Sequence, residues 1–233
     1  MSSARTVLIT GAAGNLGRAV ASAFKAQGAQ LALVNRTEDS LRAAFIVDGP
    51  DQLLVAADLL DGARVTAAVA KVIQRFGRIE VVCHLAGGFR MGEAVHETSD
   101  NTWDFLFDLN ARSVLNVARA TVRHMIEHGG GKIVNVGAFA ALRGAAGMGA
   151  YAASKSSVIR LTEAMAAELR EKNINVNCVL PTIIDTPENR AAMPDADPSR
   201  WVACDDLAQV IVFLASNAAR AIHGAALPVT GLS

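Results

Sequence analysis

One tyrosine and one lysine carry the clearest chemistry in this sequence. Tyr151 is the only tyrosine among the 233 residues, and Lys155 follows it in the segment Tyr-Ala-Ala-Ser-Lys. A spacing of four residues places both side chains on one face of a helix. A free phenol has a pKa of about 10 and is a poor acid or base near neutral pH. Because an adjacent ammonium favours the phenolate, we expect Lys155 to lower the pKa of Tyr151 and make it a usable general acid or base.

A glycine-rich segment near the start of the chain predicts a dinucleotide site. The segment Thr10-Gly-Ala-Ala-Gly-Asn-Leu-Gly17 lies between an apolar run and a helical pattern. Glycines there permit a tight turn, a close approach of the backbone to a pyrophosphate, and close helix–strand packing. The pyrophosphate would bind the free N–H groups at the helix N-terminus. The predicted coenzyme contacts in this segment are Gly11, Gly14, Asn15, Leu16 and Gly17.

The residues after the second and third apolar runs bear on which coenzyme binds. The second run ends in Asn35-Arg36, where proteins that bind NAD usually carry a carboxylate and proteins that bind NADP carry an arginine. Arg36 therefore predicts NADP as the favoured coenzyme and NAD as the alternative, although Glu38 lies nearby. Asp58 follows the third run, where its carboxylate either accepts from the adenine amino group or caps the next helix.

Short apolar runs alternate with longer helical patterns along the whole chain. The predicted strands are Thr6–Thr10, Gln30–Asn35, Leu53–Ala57, Glu80–Leu85, Lys132–Gly137, Asn175–Leu180 and Ala226–Thr230. The predicted helices are Leu16–Gln27, Asp61–Phe76, Asn101–His128 with a break near Asn110, Tyr151–Glu171 and Asp205–Ala215. The alternation predicts an α/β fold: a single-domain Rossmann-type doubly wound parallel sheet of about seven strands, with helices on both faces. Residues 1–233 form one domain in this interpretation, and residues 181–201, which have no clear period, form either a substrate lid or a structural loop.

Composition excludes several classes of function. Lys plus Arg and Asp plus Glu each number 22, so no basic excess favours nucleic acid or an anionic membrane. The three cysteines have no metal-ligand spacing, the histidines form no ligand pattern, and no metal is predicted. No signal peptide and no long apolar segment is present, so we expect a cytoplasmic protein without membrane spans.

These motifs together resemble the short-chain dehydrogenase/reductase family over nearly the whole chain. The matching segments are Thr10–Gly17, Asp58, Ala86-Gly87, Asn110, Tyr151 with Lys155, Pro181 to Thr186, and Leu227-Pro228-Val229. The resemblance implies that Tyr151 is the acid/base, that Lys155 binds the nicotinamide ribose, and that Asn110 holds a proton-relay water. It also assigns Ala86, Gly87 and Pro181 to the coenzyme site and Thr186 to the carboxamide. A homodimer or homotetramer built on the long helices is implied as well.

Departures from the family pattern point to one branch of it. Ala138 lies thirteen residues before Tyr151, where the family usually has a catalytic serine, and losing such a donor typically costs about 10²–10³ in rate. Quinonoid dihydropteridine reductases also lack that serine, carry Ala-Gly-Gly after the fourth strand, and have a lid similar to residues 180–201. Reduction of a quinonoid ring develops no alkoxide, so the hydroxyl is dispensable there. Arg36 opposes this interpretation, because that branch usually prefers NADH.

Three functions stay open from the sequence. The first is an NAD(P)H-dependent reductase of a quinonoid dihydropteridine-like ring. The second is a carbonyl or alcohol oxidoreductase, such as a 3-oxoacyl reductase, and the third is a nucleotide-sensing protein with a degenerate active site. The predicted substrate contacts are Arg143, Met148, Met193 and Trp201, although Met193 and Trp201 could instead pack at a subunit interface. His84, at the end of the fourth strand, is read as a satisfied core residue in preference to a functional one.

Overall fold

In the part of the chain that the structure describes, nine strands form one large sheet and one small one. The computed structural model describes residues 4–46 and 49–233. The strands are β1 (Thr6–Thr10), β2 (Gln30–Asn35), β3 (Gln52–Ala56), β4 (Val81–His84), β5 (Gly131–Val136), β6 (Ile174–Pro181), β7 (Ile184–Asp185), β8 (Val202–Ala203) and β9 (Ala226–Val229). The large sheet has seven strands in the order β3-β2-β1-β4-β5-β6-β9, and β7 pairs with β8 separately. Every pairing is parallel, which confirms the predicted α/β Rossmann-like fold.

The strand order places a ligand crevice at a defined point. The chain leaves β1 toward β2 on one side, and β4 lies on the other side of β1. In open parallel sheets, ligands bind outside the carboxyl ends of the strands where the order reverses. The residues that follow β1 and β4 therefore meet at the predicted coenzyme site.

The described residues form eight α-helices, several of which cover the two faces of the large sheet. They are α1 (Asn15–Lys25), α2 (Glu38–Ala44), α3 (Gly62–Phe76), α4 (Asp100–Phe107), α5 (Ser113–Glu127), α6 (Gly149–Leu169), α7 (Pro187–Ala192) and α8 (Cys204–Leu214). Helices α1 and α8 pack together over one face, where Phe24 and Leu207 are fully buried. Helices α3, α5 and α6 cover the other face, with Val72 and Met125 in its core. Burial on both faces explains why the central strands are apolar throughout.

The predicted break near Asn110 is a π-helical turn. Residues Asp108–Arg112 form this turn between α4 and α5, and Asn110 within it is buried. Such turns are rare and occur frequently at functional sites. The predicted 28-residue helix is therefore two helices whose junction aims Asn110 into the protein.

Two helices were not predicted from the sequence. Helix α2 is short and polar, and Thr37 caps its first turn by accepting from Ser40 N. Helix α7 lies inside the segment 181–201, begins with Pro187 at its first position, and is capped by Thr186. Within the described ranges 4–46 and 49–233, no helix is both long enough and apolar enough to cross a membrane.

Candidate active site

Lys155 lies at the bottom of the site, where α6 meets the end of β5. Its ammonium donates to the carbonyl oxygen of Val136 at 2.9 Å, and the residue is only 5% exposed. Burial disfavours the charged amine and lowers the pKa of Lys155 to about 8. The side chain is thus held in one position close to the strand ends.

Tyr151 stands one helical turn before Lys155 and presents a free hydroxyl. Across the described parts of the chain, the phenol oxygen has no hydrogen-bond partner, while the ring meets Phe89 edge-on with centroids 4.8 Å apart. Burial raises the pKa of Tyr151 to about 12. The expectation that Lys155 lowers this pKa is wrong, because desolvation of the phenolate is the cause that decides the direction. The phenol therefore keeps its proton at neutral pH and is ready to act as an acid.

Asn110 ties three elements of the site together. Its Oδ1 accepts from Gly88 N at 2.8 Å, and its Nδ2 donates to Gly88 O and to the Ser154 hydroxyl at 3.0 Å each. Ser154 in turn donates to the carbonyl of Tyr151 at 2.8 Å. The side-chain amide thus fixes the loop after β4 to the first turns of α6. The relay water implied for Asn110 stays a prediction.

Gly87 keeps the space above Lys155 and Asn110 open. A Cβ atom at this position would lie 2.9 Å from Lys155 Nζ and 3.0 Å from Asn110 Oδ1. Gly87 itself is exposed. A flat ring could therefore approach the backbone here beside both side chains.

The glycine-rich segment fits a dinucleotide. Gly11 has a φ of +65°, and a Cβ there would lie 2.9 Å from Ala86 N, so the two strand ends approach closely. Helix α1 begins after Gly14 with no side-chain cap and no acidic residue in its first turn. Its first N–H groups lack intrahelical carbonyl partners and suit a bound anion. These residues could hold a pyrophosphate, as the sequence predicts.

The residues after β2 and β3 leave Arg36 available. Arg36 is exposed, and no ion pair or hydrogen bond engages its side chain in the described residues. Glu38, which weakened the prediction of NADP, is bound instead by Arg42 at 2.6 Å. Asn35 donates to the Ser40 hydroxyl at 2.6 Å. Among the described residues, no carboxylate therefore competes with a coenzyme phosphate for the guanidinium of Arg36.

Asp58 does not cap the following helix. The cap of α3 is Asp61, whose Oδ1 accepts from Ala63 N and Arg64 N. One oxygen of Asp58 accepts from Leu60 N at 3.0 Å in the turn before that cap. The capping alternative is thus wrong, and contact with an adenine amino group stays a prediction.

The segment 181–201 lies against the start of α1. Pro181 ends β6, and Glu188 in α7 accepts from Asn15 Nδ2 at 2.7 Å. The hydroxyl of Thr186 accepts from Asn189 N at 3.2 Å, so its side chain is engaged as a helix cap. The role of Thr186 toward a carboxamide, and that of the segment as a lid, stay predictions.

A cavity of about 160 Å³ adjoins Tyr151. Its wall comes from the loop after β4, the start of α4 and the residues that lead into α6. Of the four predicted substrate contacts, Met148 lines this cavity, and Arg143, Met193 and Trp201 do not. Trp201 is 7% exposed and packs in the interior, so it does not lie over the site in this structure. A substrate role for Arg143 or Met193 stays a prediction.

His84 is fully engaged in a chain of hydrogen bonds behind the site. Ser113 Oγ donates to Leu109 O at 2.6 Å, so it accepts from His84 Nε2 at 2.9 Å. His84 Nδ1 then accepts from the Thr10 hydroxyl at 2.9 Å. Burial, and next the charge of Lys155, lower the pKa of His84 to about 3, so the ring is neutral. The prediction that His84 is a core residue with satisfied hydrogen bonds is thus confirmed. The chain of hydrogen bonds through His84 also links the end of β1 to the π-helical turn.

Sequence reasoning missed several residues around the cavity. Ser154, next to Lys155 in the sequence, joins Asn110 to the carbonyl of Tyr151. Arg90 and Glu93 line the cavity although they lie about 60 residues before Tyr151. The tandem glycines before Phe89 mark a close approach at that loop, but no spacing rule assigns the charges that follow. Ala138, at the position where the family usually has a serine, is buried. The hydroxyl of Ser156 does not take the place of that serine, because it donates to Ala141 O.

The chain is similar to known enzymes over most of its length. The family model described as short chain dehydrogenase matches residues 5–197. D-Threitol dehydrogenase of Mycolicibacterium smegmatis is 34% identical, with 97% of this chain and 92% of that protein covered. The 3-oxoacyl-(acyl-carrier-protein) reductase of Thermotoga maritima is 32% identical, with 97% and 96% covered. Among solved structures, a 3-ketoacyl-(acyl-carrier-protein) reductase from Brucella melitensis complexed with NADH has a TM-score of 0.88 at 30% identity, with 97% of both chains covered.

The family match spans well over half of the chain, and the relatives cover nearly all of it. The matched residues 5–197 hold six of the seven strands of the large sheet, the glycine-rich turn and the Tyr151–Lys155 pair. The chain therefore belongs to the short-chain dehydrogenase/reductase family and is an oxidoreductase.

Proposed function

We propose that this enzyme uses NAD(P) to interconvert a carbonyl compound and its alcohol, with Tyr151 as the proton donor in reduction. The observation that carries the proposal is the free phenol of Tyr151 at the wall of a cavity, one turn from buried Lys155. The relatives named above act on threitol or on 3-oxoacyl groups, which supports a carbonyl or alcohol substrate. A bound nicotinamide coenzyme supplies or accepts the hydride.

The residues of this chain supply binding and proton handling. Gly11, Gly14 and Gly17, with the N–H groups of Asn15 and Leu16, would hold the pyrophosphate at the start of α1. Ala86, Gly87, Pro181 and Thr186 would border the nicotinamide. Tyr151 holds a proton on its phenol oxygen and gives it to the substrate oxygen as negative charge develops there. Lys155 would bind the nicotinamide ribose, and Asn110 keeps α6 and the loop after β4 in register.

Arg36 favours NADP over NAD, and this preference can be measured. We expect Arg36→Gln to raise the KM for NADPH by about 10–100-fold, because charge-assisted bonds to a phosphate are lost, and to leave the KM for NADH nearly unchanged. Exposed Arg170 at the end of α6 gives the control Arg170→Gln, which should alter neither value. A wild-type enzyme that strongly prefers NADH would refute the assignment.

A second candidate function rests on Ala138. The buried methyl group at this position leaves the site without the hydroxyl that would stabilise a developing alkoxide. Reduction of a quinonoid dihydropteridine-like ring forms no alkoxide and does not need that donor. A proton from Tyr151 and a hydride from the coenzyme would suffice.

The substitution Ala138→Ser separates the two candidate functions. If the natural substrate is a ketone, the new hydroxyl should raise kcat/KM on it by about 10-fold or more, since one such donor typically contributes 10²–10³. If the substrate is a quinonoid ring, the same substitution should leave turnover of quinonoid dihydropterin nearly unchanged. Ala140→Ser, two residues further along the same turn, is the matched control. Inert ketones together with rapid dihydropterin turnover would decide against the carbonyl proposal.

We also propose a cytoplasmic homodimer or homotetramer. Support for an assembly comes from exposed apolar side chains on α4 and α5, namely Trp103, Leu115 and Ile126. Trp103 stacks on Phe107 with ring centroids 4.2 Å apart and so presents a rigid aromatic surface. Long helices with such faces are suited to pair with a second copy.

A further inference from the structure

The cavity beside Tyr151 contains two charged side chains of opposite sign. Arg90 and Glu93 both line it, together with Thr98, Thr102 and Met148. Both lie in the loop between β4 and α4. Neither belongs to the coenzyme site or to the Tyr151–Lys155 pair, so their contacts decide what they do.

Arg90 is fixed in place and has unused donors. Its guanidinium carbon lies over the Phe105 ring, 3.9 Å from the ring centre, which is a close cation–π contact. One nitrogen donates to Asn101 O at 3.3 Å. No carboxylate lies within ion-pair distance of Arg90 in residues 4–46 and 49–233. Because a guanidinium has five N–H donors and one nitrogen is engaged by Asn101, most of the donors stay available.

Glu93 is engaged within its own loop. Its carboxylate accepts from Ser99 N at 2.9 Å, from the Thr102 hydroxyl at 2.9 Å and from the Ser99 hydroxyl at 3.4 Å. These bonds hold the start of α4, and they lower the pKa of Glu93. The charge of Arg90 adds to this lowering, but less than the bonds to Ser99 and Thr102 do. Among the described residues the carboxylate makes no salt bridge with Arg90, so its main contacts are those that shape the cavity wall.

We propose that Arg90 binds a carboxylate of the substrate, so that this enzyme acts on small oxo or hydroxy acids. The assignment rests on the proposed function, and it names the substrate class of the same site. A planar guanidinium that lies over an aromatic ring and forms no salt bridge with a described carboxylate can bind a substrate carboxylate through two parallel bonds. The ketone group of the same substrate would then contact the phenol of Tyr151 in the same cavity. Neutral polyols, which need no cation, are the competing class.

A pair of ketones that differ only in charge tests the assignment. The probes are 3-oxobutanoate and its methyl ester, reduced by the purified enzyme with NADPH and NADH. We expect the wild type to favour the acid by about 10-fold or more in kcat/KM. Arg90→Gln should lower kcat/KM for the acid by about 30-fold or more, as expected for loss of one partner of a close charge pair, and change the ester by less than 3-fold. Arg90→Lys should restore part of the acid rate, and Arg220→Gln, a distant exposed arginine, should change nothing.

A binding measurement separates failure of this assignment from failure of the proposed function. Calorimetry measures the binding of 3-hydroxybutanoate and of its methyl ester to the enzyme saturated with NADP⁺ or NAD⁺. If the acid binds, the ester does not and Arg90→Gln abolishes binding, the assignment stands even when neither ketone is reduced. Equal handling of acid and ester by the wild type, equal loss of both in Arg90→Gln, or no saturable binding of the acid would each overturn it.

Discussion

Tyr151→Phe is expected to lower kcat for carbonyl reduction by about 10³-fold. General acid–base catalysis typically contributes 10²–10⁴, and the free phenol is the one acidic group of the described site that both faces the cavity and keeps its proton at neutral pH. Phenylalanine retains the ring and its edge-on contact with Phe89. Steady-state kinetics on any accepted ketone measures the loss. Coenzyme affinity, measured by fluorescence titration, should change by less than 3-fold.

The pH dependence of the reverse reaction gives a check on the same residue. Oxidation of an alcohol needs the phenolate, and burial raises the pKa of Tyr151, so the phenolate fraction grows as pH increases below that pKa. The wild-type oxidation rate should therefore increase with pH across the neutral range, and the residual rate of the variant should not. A variant that keeps more than about a tenth of wild-type activity would show that another group donates the proton.

The sheet could be predicted because its strands have a strong sequence signal. Both faces of the central strands are covered, so those strands are apolar throughout and stand out between helical patterns. β1 and β2 match the predicted bounds, whereas β4 is shorter at both ends than the predicted Glu80–Leu85. The ends of a strand depend on where the hydrogen bonds to its neighbouring strand stop, and the local sequence does not show this.

The missed helices have stabilising contacts that periodicity does not report. α2 has seven residues and buries only Leu41. Its stability comes from the Thr37 cap and from the Glu38–Arg42 ion pair, each a small contribution. Helix α7 is likewise stabilised at its start, by the cap of Thr186 and by Pro187 at its first position. It is too short to show an apolar face in the sequence.

The site was partly predictable, and the missing part depends on burial and distant contacts. Tyr151 and Lys155 are a local pair on one helix, so spacing alone places them together. The direction of the pKa change at Tyr151 depends on how much solvent reaches the phenol, which no spacing encodes. Arg90 reaches the same cavity through the sheet order, because β4 and β5 are neighbours and their following loops converge.

Gly17→Ala is expected to impair coenzyme binding more than any other single methyl group added in the glycine-rich segment. Gly17 is buried in the first turn of α1, and a Cβ there would lie less than 3.0 Å from the carbonyl oxygens of both Gly11 and Ala12. Backbone atoms on both sides cannot rotate away as a side chain would, so α1 must shift from the end of β1. That shift moves the N–H groups that would bind the pyrophosphate.

We expect Gly17→Ala to raise the Kd for NADP(H) by about 10-fold or more and to lower the free energy of unfolding by about 1–3 kcal/mol, the usual cost of overpacking. Titration of coenzyme fluorescence and thermal unfolding measure the two effects. Gly62→Ala is the matched control, because Gly62 begins α3 and a Cβ there would meet only Asn116 Oδ1, at 3.8 Å. That control should bind coenzyme normally and be at least as stable as the wild type. Unchanged affinity and stability in Gly17→Ala would mean that the close approach of α1 to the turn after β1 does not set the coenzyme site.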